Sequence, residues 1–303
     1  MQSKVGSFLK LLKQAFTNLK SNDPVRMAGA TAFFSLFALP PIIIILSQVL
    51  STLFNDHKRL VSGRLFGQLA ELFGTQSARQ LQDMSRHLQP EASYSVSTGL
   101  SVFLLLLAST TLFAVIKNSL NQLWNIKSER TFLQMLKDRG ISLLIITASG
   151  LLFTVSLTID DLIHSLSVMT QPALSGSGWL LSLGYLLASV VFLTAWFALL
   201  LRYLPDVRVR WQAVWMGAFV TSVLSSLGAE LLSLLLTHQQ ISSLYGDSAS
   251  LILILLFVFY CSLIFYYGAS FTRQYTQYVH LVAEPHANAV AYTITEVDDG
   301  TDR

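Results

Sequence analysis

Glu230 is the residue whose chemistry is hardest to ignore. It sits in GAELLSLLL, inside an apolar run from about 213 to 236. A carboxylate in hydrocarbon is costly and is by default a functional candidate. It could bind a cation, relay a proton or hold a polar headgroup; the alternative is a protonated or hydrogen-bonded acid near the interface. No lysine or arginine lies inside any apolar run to pair with it. Pro40 and Pro41 are the second feature, midway along MAGATAFFSLFALPPIIIILSQVLSTLF at 27–54. Two consecutive prolines withdraw two backbone donors and predict a kinked or interrupted helix. In lipid, carbonyls freed in this way must be covered by protein or by a wet cavity. Ser109, Thr110 and Thr111, with Ser35, Ser47, Gln48 and Ser101, either bridge helices or line such a cavity. Tyr245-Gly246-Asp247 offers a tight turn with a helix-capping carboxylate, or a group facing a substrate. Arg202, Arg208 and Arg210 are either topology determinants or contacts to lipid headgroups.

Soluble-type catalysis finds no support. A metal-dependent nuclease needs clustered histidines and carboxylates. The six histidines (57, 87, 164, 238, 280 and 286) form no pair at helical spacing. No phosphate-cradling glycine loop or nucleophile elbow occurs. The expectation is therefore no enzyme activity, no cofactor and no metal. The single cysteine, Cys261, lies in an apolar run and reads as a small apolar filler.

The elements that position these groups are membrane spans. Of 303 residues, 52% are apolar and 12% charged, half the usual charged share of about 25%. A net charge of +3, spread along the chain, argues against nucleic acid. The spacing predicts an amphipathic helix over 3–20, with Val5, Phe8, Leu9, Leu12, Phe16 and Leu19 on one face and lysines off it, lying on an anionic leaflet or packed on the protein. The amino end shows no uninterrupted apolar core or cleavage site of a signal peptide. Asn22 or Asp23 before Pro24 marks the start of span 1. Further spans are expected at 97–116, 141–159, 179–201, 213–236 and 249–271, each near the roughly 20 residues a bilayer requires. The expected fold is all-α: a polytopic membrane protein with six transmembrane helices. An amphipathic helix at 1–23 precedes the membrane domain at 24–275. A helical outer segment at 55–96 and a short acidic tail at 276–303, expected to be disordered, complete it. Lys4, Lys10, Lys13, Lys20 and Arg26, the basic connector at 117–140, Arg202–Arg210 and Arg273 fall on one side if both termini are cytoplasmic; the loops at 160–178 and 237–248 carry no lysine or arginine.

AGATAFFSLFALPPIIII in span 1, Asn121 to Trp124 (NQLW), LLRYLPDVRVRWQAVWMGAFV at 200–220 and YGDSASLILILLFVFYCSLIFYYGASF at 245–271 together resemble the YihY / virulence factor BrkB family. The resemblance covers about 20 to 275. It departs at Ser270, where the family commonly has Glu, and at Phe259, where Trp is frequent. It implies a six-helix bacterial inner-membrane protein without a settled activity: members were once labelled ribonucleases, and others are suspected of transport, including the handling of lipids or lipopolysaccharide precursors. The expected function is transport or lipid handling through a cavity at the interrupted first span, flippase- or scramblase-like or associated with lipid transfer, with membrane lipids as partners. A non-transporting scaffold that recruits other envelope proteins is the alternative.

Overall fold

The computed structural model describes residues 4–53, 111–128, 178–237, 249–286 and 289–293. Six helices occur among them: α1 (Lys4–Lys20), α2 (Pro24–Leu53), α3 (111–123), α4 (Gly178–Tyr203), α5 (Trp211–Thr237) and α6 (Ala249–Tyr278). At about 1.5 Å per residue, the 30 residues of α2 and of α6 each rise about 45 Å. Among the described residues, Ile252–Tyr278 is both long and apolar enough to cross a bilayer, with mean hydropathy 2.2; Pro24–Leu39 and Ser189–Tyr203 are shorter apolar helices. The expected spans at 141–159 and most of 97–116, and the outer segment at 55–96, lie outside the described residues.

The bundle is built with its polar groups inward. Large apolar side chains such as Phe33, Phe37, Val191, Phe219 and Leu227 are exposed, whereas Thr31, Thr194, Thr221, Ser222, Ser262 and Thr272 are buried. The Thr194 and Ser222 hydroxyls join α4 to α5 at 2.8 Å, and those of Thr31 and Tyr266 join α2 to α6 at 2.6 Å. Hydroxyl bridges of this kind hold helices together where lipid leaves no hydrophobic drive between them.

The crossing of α5 and α6 uses the two motif glycines reciprocally. A Cβ on Gly217 would collide with Thr272, and one on Gly268 would collide with Thr221. Each threonine is pinned by its hydroxyl donating to the carbonyl of the glycine four residues earlier on its own helix, at 2.7 Å for Thr221 and 2.8 Å for Thr272. Gly217-x-x-x-Thr221 therefore meshes with Gly268-x-x-x-Thr272 across an antiparallel pair.

The structure corrects two expectations and chooses between the alternatives at two others. First, α2 runs as one helix through Pro40 and Pro41 and is not interrupted there. Proline's fixed φ suits a helix, and the lost donors concern only the carbonyls of Leu36 and Phe37, four residues earlier. Second, α1 is docked on the protein. Leu11, Ala15 and Leu19 are buried, the first two against Val220 of α5 and Phe271 of α6, while Leu9 and Phe16 are each 60% exposed. Hydrogen bonds from Tyr267 Oη to the Leu12 carbonyl (3.1 Å) and from Ser270 Oγ to the Ala15 carbonyl (2.8 Å) lock it to α6. Hydropathy cannot tell a lipid-facing leucine from a protein-facing one. Third, of the two candidate caps it is Asp23 that opens α2, its carbonyl accepting from the Met27 N–H at 3.1 Å, while Asn22 closes α1, its amide donating to the Asn18 carbonyl at 2.7 Å. Asp23 takes the left-handed turn with φ 53°, and Pro24 begins α2. Fourth, the tail is ordered as far as it is described. Beyond α6, strand β3 (Glu284–Pro285) pairs with β2 (Val207–Arg208), and β4 (Ala289–Ala291) with β1 (Ile126–Ser128), both antiparallel. Backbone pairing of this kind needs no hydrophobic pattern, so composition could not reveal it.

Candidate functional site

A cavity of about 470 Å³ lies among α2, α3, α4, α5 and α6. The volume falls in the roughly 300–1,000 Å³ range of small-molecule sites. Thr31 and Ser35 bring hydroxyls from α2, Ser225 from α5, and Tyr260 and Ser262 from α6; aromatic rings, among them Trp196, Phe197, Phe257 and Phe265, supply much of the rest. Cys261 also lines it. Among the described residues, none that lines it is a Lys, Arg, His, Asp or Glu. The inward hydroxyls of the first span thus reach this chamber.

Next to the chamber in sequence lies a polar knot. Ile116 and Leu204 line the chamber; Lys117 and Asp206 lie one and two residues beyond. Lys117 Nζ meets Asp206 Oδ1 at 2.7 Å, with both side chains mostly buried. Asn121 clasps the same residue twice: its amide donates to Asp206 Oδ2 at 2.8 Å, and its carbonyl oxygen accepts from the Asp206 backbone N–H at 2.9 Å. The His286 backbone N–H donates to the Asp206 carbonyl at 3.0 Å, which adds the tail to the knot. Nearby, Arg273 of α6 donates to the Leu123 carbonyl (2.6 Å), Asn18 Oδ1 (3.1 Å) and Asn125 Oδ1 (3.3 Å), joining α1, the end of α3 and α6. A guanidinium at the carbonyl end of a helix complements its dipole. Asn125 and His280 take the left-handed conformation that ends α3 and α6, with φ 52° at each.

The knot makes one pH prediction. Burial, aided by Arg208, Lys117 and Arg202, holds the His286 imidazole below its ordinary value of 6.5, against the opposing pull of Asp206. The unfolded chain then binds a proton that the folded chain resists. Stability is fully present above 6.5 and declines as pH falls through the lower folded value. Wild type should therefore lose more thermal stability than His286→Asn between pH 7.5 and pH 5, by less than one proton's worth of slope. Equal slopes would remove His286 from the account.

The residues singled out from sequence are placed as follows. Pro40 and Pro41 lie within α2, and Glu230 within α5 about two turns before its end at Thr237. Thr111 is half-buried at the start of the described part of α3 and is not among the chamber residues. Ser109, Thr110, Tyr245, Gly246 and Asp247 lie outside the described residues. The Arg202 guanidinium stands 5.7 Å over the Trp211 ring, within an aromatic cluster of Tyr203, Trp211 and Trp215. Arg208 and Arg210 are exposed beside it. Sequence reasoning missed Lys117 and Asp206 as members of one knot, and Arg273 as the tie among α1, α3 and α6. The signal was present: Asn121 belongs to the NQLW stretch and Asp206 to Tyr203-Leu204-Pro205-Asp206, both quoted for the resemblance, and they bind each other. Ser270, where the resemblance expects Glu, is fully buried, accepts from the Asn18 amide at 2.8 Å and joins α1 to α6.

Among known proteins, the family described as Virulence factor BrkB matches residues 15–291. A UPF0761 membrane protein of Tolumonas auensis is 26% identical over 251 residues, covering 81% of this chain and 78% of that protein. UPF0761 membrane protein IL2447 of Idiomarina loihiensis is 24% identical over 285 residues, 93% and 95% of the two chains. A UPF0761 membrane protein of Chromohalobacter salexigens is 23% identical over 259 residues; the match takes in 83% of this chain but 59% of that longer relative. No solved structure matches.

Proposed function

As this chain belongs to the virulence factor BrkB family of membrane proteins, we propose that it is a transporter or lipid-handling protein of the bacterial inner membrane. Six spans carry it across, with both termini in the cytoplasm, and it has no enzymatic step. The observation that carries this reading is the chamber of about 470 Å³ between α2 and the helices around it. Its hydroxyls are few and its walls mostly apolar, which suits an amphipathic or lipid molecule entering from the side better than a hydrated ion. The Arg202–Trp211 stack with exposed Arg208 and Arg210 supports a membrane interface at that end, within reach of lipid phosphates. The exposed Leu9 and Phe16 of α1, near Lys10 and Lys13, support the same level for the leaflet.

The test is flux in proteoliposomes carrying fluorescent lipids or ion reporters. Wild type should exceed protein-free vesicles. Leu193→Trp and Ser225→Phe, which fill the chamber from two different helices, should each lower the rate by about tenfold, equivalent to ~1.4 kcal/mol. Glu230→Ala in the same assay separates a chamber that acts alone from one that needs the intramembrane acid. Wild-type vesicles that leak no faster than empty ones, for any lipid or ion tried, would favour the scaffold reading.

A further inference from the structure

The chamber has a chemistry more specific than greasiness, and from it we infer the class of its occupant: a single-chain lipid with a neutral, hydroxyl-bearing head. The inference rests on the lipid-handling reading above. Its first support is charge. None of the described residues that line the chamber is a Lys, Arg, His, Asp or Glu. A phosphate or carboxylate drawn in would lose its water with no opposite charge to meet it, at a cost of several kcal/mol. A head made of hydroxyl and ester oxygens bears only the smaller cost of exchanging hydrogen bonds.

The second support is the direction of the hydrogen bonds on the wall. Ser262 already donates to the Val258 carbonyl at 2.7 Å, and Thr31 to the Met27 carbonyl at 2.9 Å. With the Thr31 proton so placed, Tyr266 is the donor in their 2.6 Å contact. The protons of these two hydroxyls are therefore used within the helices, while Ser262 Oγ keeps lone pairs. At these two positions the wall offers acceptors and no donors. It complements a guest that brings its own O–H groups.

The third support is size. At about 30 Å³ for a group the bulk of a water or a methylene, 470 Å³ covers on the order of 16 groups, the head and the adjoining part of one chain, with the remainder left to the open side of the chamber.

The test is photo-crosslinking of the full chain in lipid nanodiscs with two diazirine-bearing probes of identical chain, a monoacylglycerol and a lysophosphatidate, the adducts being located by peptide mass spectrometry. The monoacylglycerol should label α4 around 193–200 and α6 around 257–265 saturably, exceeding the lysophosphatidate there by about tenfold or more. Ser225→Phe should abolish that labelling. Should that variant not fold, Leu193→Trp, read only if it elutes as a single species, serves in its place. Equal or stronger chamber labelling by the lysophosphatidate would overturn the neutral-head assignment and leave the lipid-handling reading standing. Absence of chamber adducts from both probes, or labelling unaltered by the filling variants, would overturn the two together.

Discussion

Asp206→Ala should destabilise the folded chain by about 3–5 kcal/mol, the usual consequence of removing one partner from a buried ion pair. The substitution leaves the Lys117 ammonium without the carboxylate 2.7 Å away, and the Asn121 amide without its acceptor. Both groups are too enclosed for water to compensate in full. The effect is one of orphaned charge more than of lost attraction. Replacing the pair together by Lys117→Met and Asp206→Leu should therefore recover much of the loss, since apolar substitutes for a buried pair are often neutral or better. Asp206→Asn should fall between, because its side-chain oxygen can still accept from the Asn121 amide but presents no charge to Lys117. The measurement is the midpoint of thermal aggregation in detergent, followed by fluorescence-detected size exclusion, across the double-mutant cycle. An Asp206→Ala midpoint equal to wild type would mean the knot carries no stability.

Gly217→Val should be nearly as damaging, and for a steric reason. The added side chain enters the space of Thr272, whose rotamer is fixed by its bond to the Gly268 carbonyl. Relief requires breaking that bond or parting α5 from α6, and overpacking of this sort costs about 1–3 kcal/mol or more. Gly268→Val meets Thr221 in the mirror arrangement and should behave alike. Gly29 and Gly184 supply the control: a Cβ at either meets nothing within 4 Å. Gly184→Ala should be harmless or should stabilise by up to ~1 kcal/mol, through helix propensity alone. If all these glycines tolerate substitution equally, the close crossing is wrong.

These two sites also show how far the sequence could be read. Four of the apolar runs became helices with bounds close to expectation, because length and hydropathy are properties of the run itself. Span 6 extends on to Tyr278, since Arg273 finds carbonyl and amide partners at its end and so does not terminate it. The docking of α1 was harder: Leu9 and Leu11 look alike in the sequence, yet one is exposed and the other buried. The knot was legible only in pieces. Asn121 and Asp206 stood out as motif residues, but nothing local says that positions 85 apart in sequence will hold each other. The chamber was anticipated beside the first span on the strength of Pro40–Pro41. Among the side chains described, the wall groups that α2 contributes are Thr31 and Ser35, one to two turns earlier.

The paired strands carry a consequence for biosynthesis. The turns at 126–128 and 207–208 find their partners only in residues 284–291, which emerge after every described helix has been made. Until then those turns keep open edges, and the Asp206 carbonyl waits for the His286 amide. Nascent chains stalled short of that point would expose them together, a signature by which quality control could tell an unfinished copy from a finished one.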